Sequence, residues 1–242
     1  MNAMVPTKWC FVLVLILLGG LTYAQDLSTD LKRLHKERAK GQLKKMRVVY
    51  TSYETHSTKI PEERREAVAM EKGAFTYFFD NSISRSVTVD ELTLLIDKEE
   101  KTMYLIKQKS PFETMGAAEV DSLLKMSSKV VFNGSDNGIK TYDLHFTSPF
   151  IPYNKITLKL NMAHLHVSEL TMYYGTSMPK IRKGGETDWL KPRLQIQFLQ
   201  KPIESGDPAK MQLSHYLKKS NDQWTPVPVY SGYTFSDQTQ KP

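Results

Sequence analysis

The side chains that could perform chemistry are few and scattered along the chain. His164 and His166 stand two residues apart. On a strand, this spacing places both imidazoles on one face, where they could provide two ligands to a metal ion. A third ligand is not evident elsewhere in the sequence, so we expect a solvated histidine pair and no metal site.

The acidic and nucleophilic residues do not form a catalytic pattern either. Glu99 and Glu100 fall in a charged turn, and the glutamates from Glu62 to Glu66 are interleaved with two arginines. No serine stands in a Gly-x-Ser-x-Gly nucleophile elbow. The two glycines between Asn133 and Gly138 indicate a turn, not a phosphate-binding loop. The sequence therefore predicts a protein that is not an enzyme and has no cofactor.

The first 24 residues have the order of a secretory signal peptide. Lys8 precedes an apolar run from Trp9 to Leu18, and small residues then lead to Ala24. This run of about ten residues is too short for a bilayer, which needs roughly 20. We expect cleavage after Ala24 and a soluble mature chain, with an uncleaved N-terminal anchor as the alternative.

The single cysteine, Cys10, lies inside the apolar run and follows Trp9, not a small residue. We therefore expect no lipidation at this position. The mature chain has no other cysteine, which excludes disulfides, thiol nucleophiles and cysteine metal ligands. Because secreted animal domains usually depend on disulfides, the composition favours a bacterial periplasm as the location.

The net charge of the chain is +7, and it falls to +6 without Lys8. The basic residues form short clusters beside turns, at Lys44–Lys45, Arg64–Arg65, Lys180–Lys183 and Lys218–Lys219. Such clusters are mostly solvated faces. The functional alternative is attraction to an anionic membrane surface or an acidic envelope protein, and an exported chain is not expected to bind nucleic acid.

Two amphipathic helices are predicted among many strands. Apolar residues recur at helical spacing from Asp26 to Lys40, where Gly41 is a plausible stop, and again from Ala117 to Lys129. The segments Ile60–Arg65 and Gly175–Asp188 are predicted to be loops, the second of them mobile.

Most of the remaining chain alternates between apolar and polar residues, as antiparallel strands do when one face is buried. The predicted strands are Met46–Thr51, Phe75–Phe79, Ser84–Val89, Thr93–Ile96, Thr102–Ile106, Thr141–Phe146, Ile156–Asn161, Leu165–Tyr174 and Arg193–Phe198. A change of phase near Ser168 and Glu169 predicts a β-bulge. Pro226 and Pro228 predict an edge strand or extended chain near the C-terminus.

Three segments carry a resemblance to a known family. They are SVTVDELTLLIDKEEKTMYLI at Ser86–Ile106, ITLKLNMAHLHVSELTMYY at Ile156–Tyr174 and KPRLQIQFL at Lys191–Leu199. In their order around a central helix they resemble the periplasmic outer-membrane lipoprotein carriers and receptors of the LolA/LolB-like superfamily. The Arg-Pro pair that this family has on an early strand is absent near Gly73–Phe75, so no residue here inherits the role of that arginine.

The resemblance implies an α+β fold, in which a strongly curved antiparallel sheet forms an incomplete barrel with two main helices on its concave side. It also implies three parts: a signal peptide at residues 1–24, the curved-sheet domain at 25–202 and a C-terminal extension at 203–242. The chain would be a periplasmic carrier or sensor whose partner is the acyl chains of a lipid or lipoprotein.

The ligand would lie against the apolar phase of the strands, on side chains that alternate with polar neighbours. The candidate cavity residues are Tyr50, Phe75, Tyr77, Leu94, Ile96, Tyr104, Ile106, Leu144, Phe146, Ile156, Leu158, Met172, Leu194, Ile196 and Phe198. The same residues could instead form an ordinary core. The chain would then be a non-enzymatic structural or interaction component of a cell-envelope assembly that uses the same fold without a ligand.

Overall fold

The computed structural model describes residues 26–37, 40–73, 76–107, 124–200 and 208–239. A helix, α1, covers residues 26–37, and residues 124–126 are also helical. The strands are β1 (Leu43–Tyr53), β2 (Glu63–Lys72), β3 (Thr76–Asn81), β4 (Ser84–Val89), β5 (Leu92–Asp97), β6 (Thr102–Lys107), β7 (Lys129–Asp136), β8 (Ile139–His145), β9 (Tyr153–Asn161), β10 (His166–Tyr174), β11 (Met178–Ile181), β12 (Thr187–Leu190), β13 (Arg193–Gln200), β14 (Leu217–Ser220), β15 (Gln223–Pro226) and β16 (Thr234–Gln238). Short 3-10 helices lie at Pro208–Met211, Leu213–His215 and Pro228–Tyr230.

Twelve strands form one open sheet in the order β16-β6-β5-β4-β3-β2-β1-β13-β10-β9-β8-β7. All neighbours are antiparallel except β16, which runs parallel to β6 at one edge. Within the described residues β7 is the other edge, so the sheet does not close into a barrel. The predicted large antiparallel sheet and its openness are confirmed.

The predicted bulge is also confirmed. The register of β9 and β10 shifts between Val167 and Glu169, which leaves Ser168 as the extra residue. Its hydroxyl donates a hydrogen bond to the Lys159 carbonyl oxygen at 3.2 Å. The shift brings Leu170 and Met172 onto the same face as Leu158, where they are needed for packing.

The two faces of the sheet bury different parts of the chain. We call the side that carries Val48 and Leu158 the helix face, because α1 packs there through Leu27 and Leu34. We call the other side the tail face. Over β2 to β6 the tail face is covered by the C-terminal segment, residues 208–239, whose side chains Met211, Leu213, Tyr216 and Leu217 are buried among apolar residues of those strands.

A buried ionic contact fixes α1 on the helix face. The Asp30 carboxylate accepts a hydrogen bond from the Tyr142 hydroxyl at 2.7 Å and pairs with the Lys140 ammonium at 2.8 Å. Asp30 is only 3% exposed, so its charge depends on these partners. The first predicted helix is present from residue 26 to 37. Gly41, the predicted stop, follows it with a φ of +76°.

The second predicted helix is shorter at its C-terminal end than expected, because Lys129 already begins β7. Leu124 packs on the same cluster as α1. Residues 108–123 lie outside the described residues, so the arrangement of two helices on one side remains a prediction. Residues 1–25 also lie outside, and the signal peptide remains a prediction for the same reason.

Two predicted loops are wrong in part. Ile60–Arg65 was expected to be irregular, but Glu63 to Arg65 begin β2, whose first residues are exposed and charged. Gly175–Asp188 contains most of a two-stranded ribbon, β11 with β12.

None of the described helices is long and apolar enough to cross a membrane.

Candidate functional site

The register of the strands decides which candidate residues share a surface, since paired residues in neighbouring strands point to the same face. The helix face carries Tyr50, Tyr77, Tyr104, Ile106, Leu144, Ile156, Leu158, Met172, Leu194, Ile196 and Phe198. Phe146 packs in the same cluster as Leu144 and Leu158.

Three of the candidates do not belong to this surface as described. Leu94 and Ile96 pair with Val87 and Arg85 on the tail face, where the C-terminal segment buries them. They therefore cannot line a cavity together with Tyr50. Phe75 lies outside the described residues.

Most candidates on the helix face fall into two groups by burial, while Tyr77 is buried in the core of β1 to β3 and Tyr104 and Ile106 lie apart on β6. Leu144, Phe146, Ile156 and Leu158 are buried in the core beneath α1. Leu158 is thus a core residue, and a charge there would disrupt packing before it reported on a ligand. The second group is only partly buried, and it lies where the core beneath α1 meets the core of β1 to β3.

We call this second group the seam, defined as Tyr50, Met172, Leu194, Ile196 and Phe198. Ile196 and Phe198 on β13 contact both cores. Tyr50 meets Phe79 edge to face, with ring centroids 6.2 Å apart. The seam is therefore a continuous apolar strip on the sheet. It lies between the core beneath α1 and the core of β1 to β3.

An open cleft of about 380 Å³ lies at the end of the seam. Its apolar wall is Tyr50, Phe79 and Leu194, and its rim is polar, with Ser52, Glu63, Arg65, Glu66 and Asn81. The Arg65 guanidinium is held by the Glu63 carboxylate at 2.6 Å. The cleft thus combines an apolar wall with a charged, exposed edge.

Burial raises the pKa of Tyr50 to about 12. The phenol is therefore neutral at physiological pH, and it adds no charge to the apolar wall. Its ring pairs across the strands with Ile196 on one side and Arg65 on the other. Tyr50 consequently stands at the boundary between the seam and the polar rim.

Sequence reasoning missed Phe79 and Arg65 as members of this surface. Phe79 was in the predicted strand with Tyr77, and both belong to the same phase, so the alternation could have identified it. Arg65 lay in a predicted loop. Only the pairing of Arg65 with Tyr50 reveals that it reaches the cleft.

A second open cleft, of about 460 Å³, lies on the tail side of the opposite half of the sheet. Its lining is polar and aromatic, and includes His56, His145, Lys155 and Tyr173. The Lys155 ammonium stands 4.3 Å from the centroid of the Tyr173 ring, and His56 contacts the same ring edge to face at 5.2 Å. The Lys155, His56 and Tyr173 side chains of this cleft therefore already have interaction partners within it.

The two histidines singled out in the sequence do not lie together on one strand. His164 is in the turn before β10, and His166 begins β10, with their ring centroids 6.3 Å apart. Burial lowers the pKa of His166. Among the described residues, no group of three histidine, cysteine, aspartate or glutamate side chains could hold a metal ion.

The described residues form an open antiparallel sheet, and on one face they leave an apolar strip only partly covered. No family model matches the sequence, and no curated protein matches it.

Several solved structures are distantly similar to this chain over most of its length. A DUF1329 family protein from Desulfovibrio piger is 11% identical, covering 81% of this chain and 98% of that one, with a TM-score of 0.37. A LolA superfamily protein from Nitrosomonas europaea is 8% identical over 77% and 97% of the two chains, with a TM-score of 0.34. LprF from Mycobacterium bovis is 13% identical over 76% and 97%, with a TM-score of 0.35.

One of these structures belongs to the LolA superfamily, which the sequence resembles. At identities of 8 to 13% and TM-scores of 0.34 to 0.37, this distant likeness by itself assigns no role to the chain.

Proposed function

We propose that this protein binds the acyl chains of a lipid or lipoprotein along the seam, as a carrier or sensor in the periplasm. The observation that carries the proposal is the cleft of about 380 Å³, whose apolar wall of Tyr50, Phe79 and Leu194 continues into the seam. Sites for small apolar ligands usually measure roughly 300 to 1,000 Å³.

The energetics favour an acyl chain over a polar ligand on this strip. Each methylene group that leaves water contributes about 0.8 kcal/mol. Leu194 and Ile196 are only partly buried, so a chain lying along β13 would remove apolar surface of both partners from water. The polar rim, with Arg65 and Asn81, suits the headgroup end of an amphiphile.

The proposal includes no catalytic step. The polar groups around the cleft are the Glu63–Arg65 ion pair, Ser52, Glu66 and Asn81. Glu63 pairs across the strands with Ser52, but its carboxylate is engaged by the Arg65 guanidinium and is not free to activate the hydroxyl, as acyl transfer would need. Binding and release of an amphiphile require only the apolar wall and the rim.

The test is the extraction of lipids from protein purified out of its own envelope, followed by mass spectrometry. We expect acyl-bearing species to copurify with the protein. Leu194→Glu places a charge on the apolar wall and should reduce bound acyl species at least tenfold. Leu199→Glu is the matched control, because Leu199 lies on the same strand, on the tail face beside Arg47, and is 38% exposed.

Two outcomes would contradict the proposal. The first is that no acyl species copurifies and no apolar fluorescent probe binds, in which case an interaction component of an envelope assembly is the better description. The second is that Leu194→Glu and Leu199→Glu bind equally well, which would move the ligand away from the seam.

A further inference from the structure

The ribbon of β11 and β12 has one apolar side that faces solvent. Pro179 pairs with Trp189, and Ile181 pairs with Thr187, so these four residues share one side. Trp189 is 68% exposed and Ile181 is 76% exposed. Tryptophan and isoleucine are among the residues that folding normally covers, and a joint exposure of this kind marks a contact surface.

The other side of the ribbon is fixed by ion pairs to the loop between β1 and β2, residues 54–62. The Lys180 ammonium contacts the Glu54 carboxylate at 2.6 Å and also pairs with Glu62. The Arg182 guanidinium contacts Glu54 at 2.9 Å and Asp188 at 2.7 Å. Hydrogen bonds from Arg182 and Lys180 hold the pKa of Glu54 at about 2, so this carboxylate is charged throughout the physiological range. The apolar side is therefore held outward.

The neighbouring loop, residues 54–62, adds a third exposed apolar residue at the same end of the sheet. Ile60 is 78% exposed. The Arg193 guanidinium donates to the carbonyl oxygens of His56 and Thr58, each at 3.0 Å, and so ties this loop to the base of the ribbon. The loop and the ribbon therefore form one surface.

Exposed lysines surround these apolar residues. Lys59, Lys183 and Lys191 are exposed, and none of them belongs to an ion pair of the described residues. Glu186 is the exposed acid at the tip of the ribbon. Tryptophan with flanking lysines is the combination that favours the boundary between lipid headgroups and acyl chains. Lysines near an anionic bilayer are attracted to it.

We propose that the ribbon and loop 54–62 form a docking surface for an anionic lipid bilayer, with Trp189, Ile181 and Ile60 entering the headgroup region. This inference goes beyond the proposed function and does not depend on what the cleft binds. The two are nevertheless neighbours: Ser52 and Leu194, which line the cleft, lie at the strand ends next to the loop and the ribbon.

The test uses the full mature chain and its tryptophan fluorescence. Trp224→Phe leaves Trp189 as the tryptophan of the mature chain that reports. With vesicles of phosphatidylethanolamine and phosphatidylglycerol, we expect a blue shift of Trp189 emission and sedimentation with the vesicles. Trp189→Ser and Ile181→Ser should each weaken vesicle binding about tenfold, since each removes a large apolar contact. Lys183→Gln and Lys191→Gln should each weaken it about fivefold at low salt.

Leu199→Ser is the control, because Leu199 is 38% exposed and lies near Gln200, at the opposite end of β13 from the ribbon and the loop. It should bind vesicles as the unmodified chain does. The proposal is overturned if the unmodified chain does not bind the vesicles, or if Trp189→Ser binds them unchanged. Equal binding to vesicles of phosphatidylcholine alone would also overturn it, because the lysines would then have no role. All three outcomes are independent of lipid copurification with the seam.

Discussion

At the scale of single residues, Arg85 joins the sheet to the C-terminal segment. Its guanidinium holds both carboxylate oxygens of Asp80 at 3.0 Å and donates to the Tyr230 hydroxyl at 3.0 Å. It also lies 5.7 Å from the ring centroids of Phe78 and Tyr216. Lys98 adds a second cation beside Asp80 at 2.7 Å. One arginine thus connects β3, β4 and the cover of the tail face.

Asp80 makes stability depend on pH. Burial opposes the charged carboxylate, but the hydrogen bonds from Arg85 and Lys98 outweigh it and lower the pKa of Asp80. A folded-state pKa below the unfolded value of about 3.9 gives stability that is complete above pH ~4 and is lost as pH falls through the folded value. We expect Asp80→Asn to cost about 2 kcal/mol at pH 7 and little at pH 2 to 3.

Urea unfolding at the two pH values measures this difference. Glu91→Gln is the control, since Glu91 is 66% exposed and its nearest cation, Lys107, is 3.8 Å away. It should change the free energy of unfolding by less than about 0.5 kcal/mol at either pH. A cost of Asp80→Asn that stayed constant from pH 7 to pH 2 would show that the charge of Asp80 is not its source.

At the scale of elements, two residues determine the turn of the β7–β8 hairpin. Asn137 and Gly138 have φ values of +48° and +76°, as the two central residues of a tight hairpin turn require. A Cβ on Gly138 would meet Ala163 at 3.7 Å, an ordinary van der Waals distance, so the available space does not require glycine here. The positive φ of the backbone at this position does require it.

We therefore expect Gly138→Ala to lower the free energy of unfolding by about 1 kcal/mol, through strain at positive φ. Gly232→Ala is the matched control, because Gly232 has no positive φ and its added Cβ would meet open space. Thermal or urea unfolding of the two variants decides the point. Equal effects would mean that the turn tolerates a side chain and is not a source of specificity.

Sequence alternation predicted most strands of the large sheet, because in most of them the apolar side chains share one phase. It could not predict which face of a strand joins which face of its neighbour. Leu94 and Tyr50 look equivalent by alternation, yet the register across β2, β3 and β4 places them on opposite sides. All of β2 was missed. Its first residues, Glu63 to Arg65, pair through backbone hydrogen bonds with β1 but are exposed and charged, so they show no apolar phase.

The seam was predictable only in part. Leu194, Ile196 and Phe198 follow from the alternation of β13, whereas their position between two cores follows from tertiary packing. The cover of the tail face could not be foreseen, because its buried side chains lie in 3-10 helices of three or four residues and at the start of a four-residue strand, which are too short to show a periodicity. These side chains are Met211, Leu213, Tyr216 and Leu217.

At the scale of the whole molecule, the protein has two main cores on opposite faces of one sheet. The first lies on the tail face of β2 to β6 beneath the C-terminal segment, and the second lies on the helix face of β8 to β10 beneath α1. Among the described residues, β1 and β13 lie between these two halves of the sheet, and the seam and the core of β1 to β3 join them. Apolar burial is the main favourable term in folding, so each half of the sheet depends on its own cover.

This arrangement predicts that the two halves lose protection separately. Leu217 is 1% exposed in the first core and Leu160 is 0% exposed in the second, so they form a matched pair. Each change to alanine should cost about 2 to 5 kcal/mol. Because local unfolding follows the units that pack together, Leu217→Ala should speed amide hydrogen exchange in β4 to β6 and leave β8 to β10 protected. Leu160→Ala should do the reverse. If both variants accelerated exchange equally in both halves, the sheet would unfold as one cooperative unit, and the seam would couple the two cores more strongly than its partly buried contacts indicate.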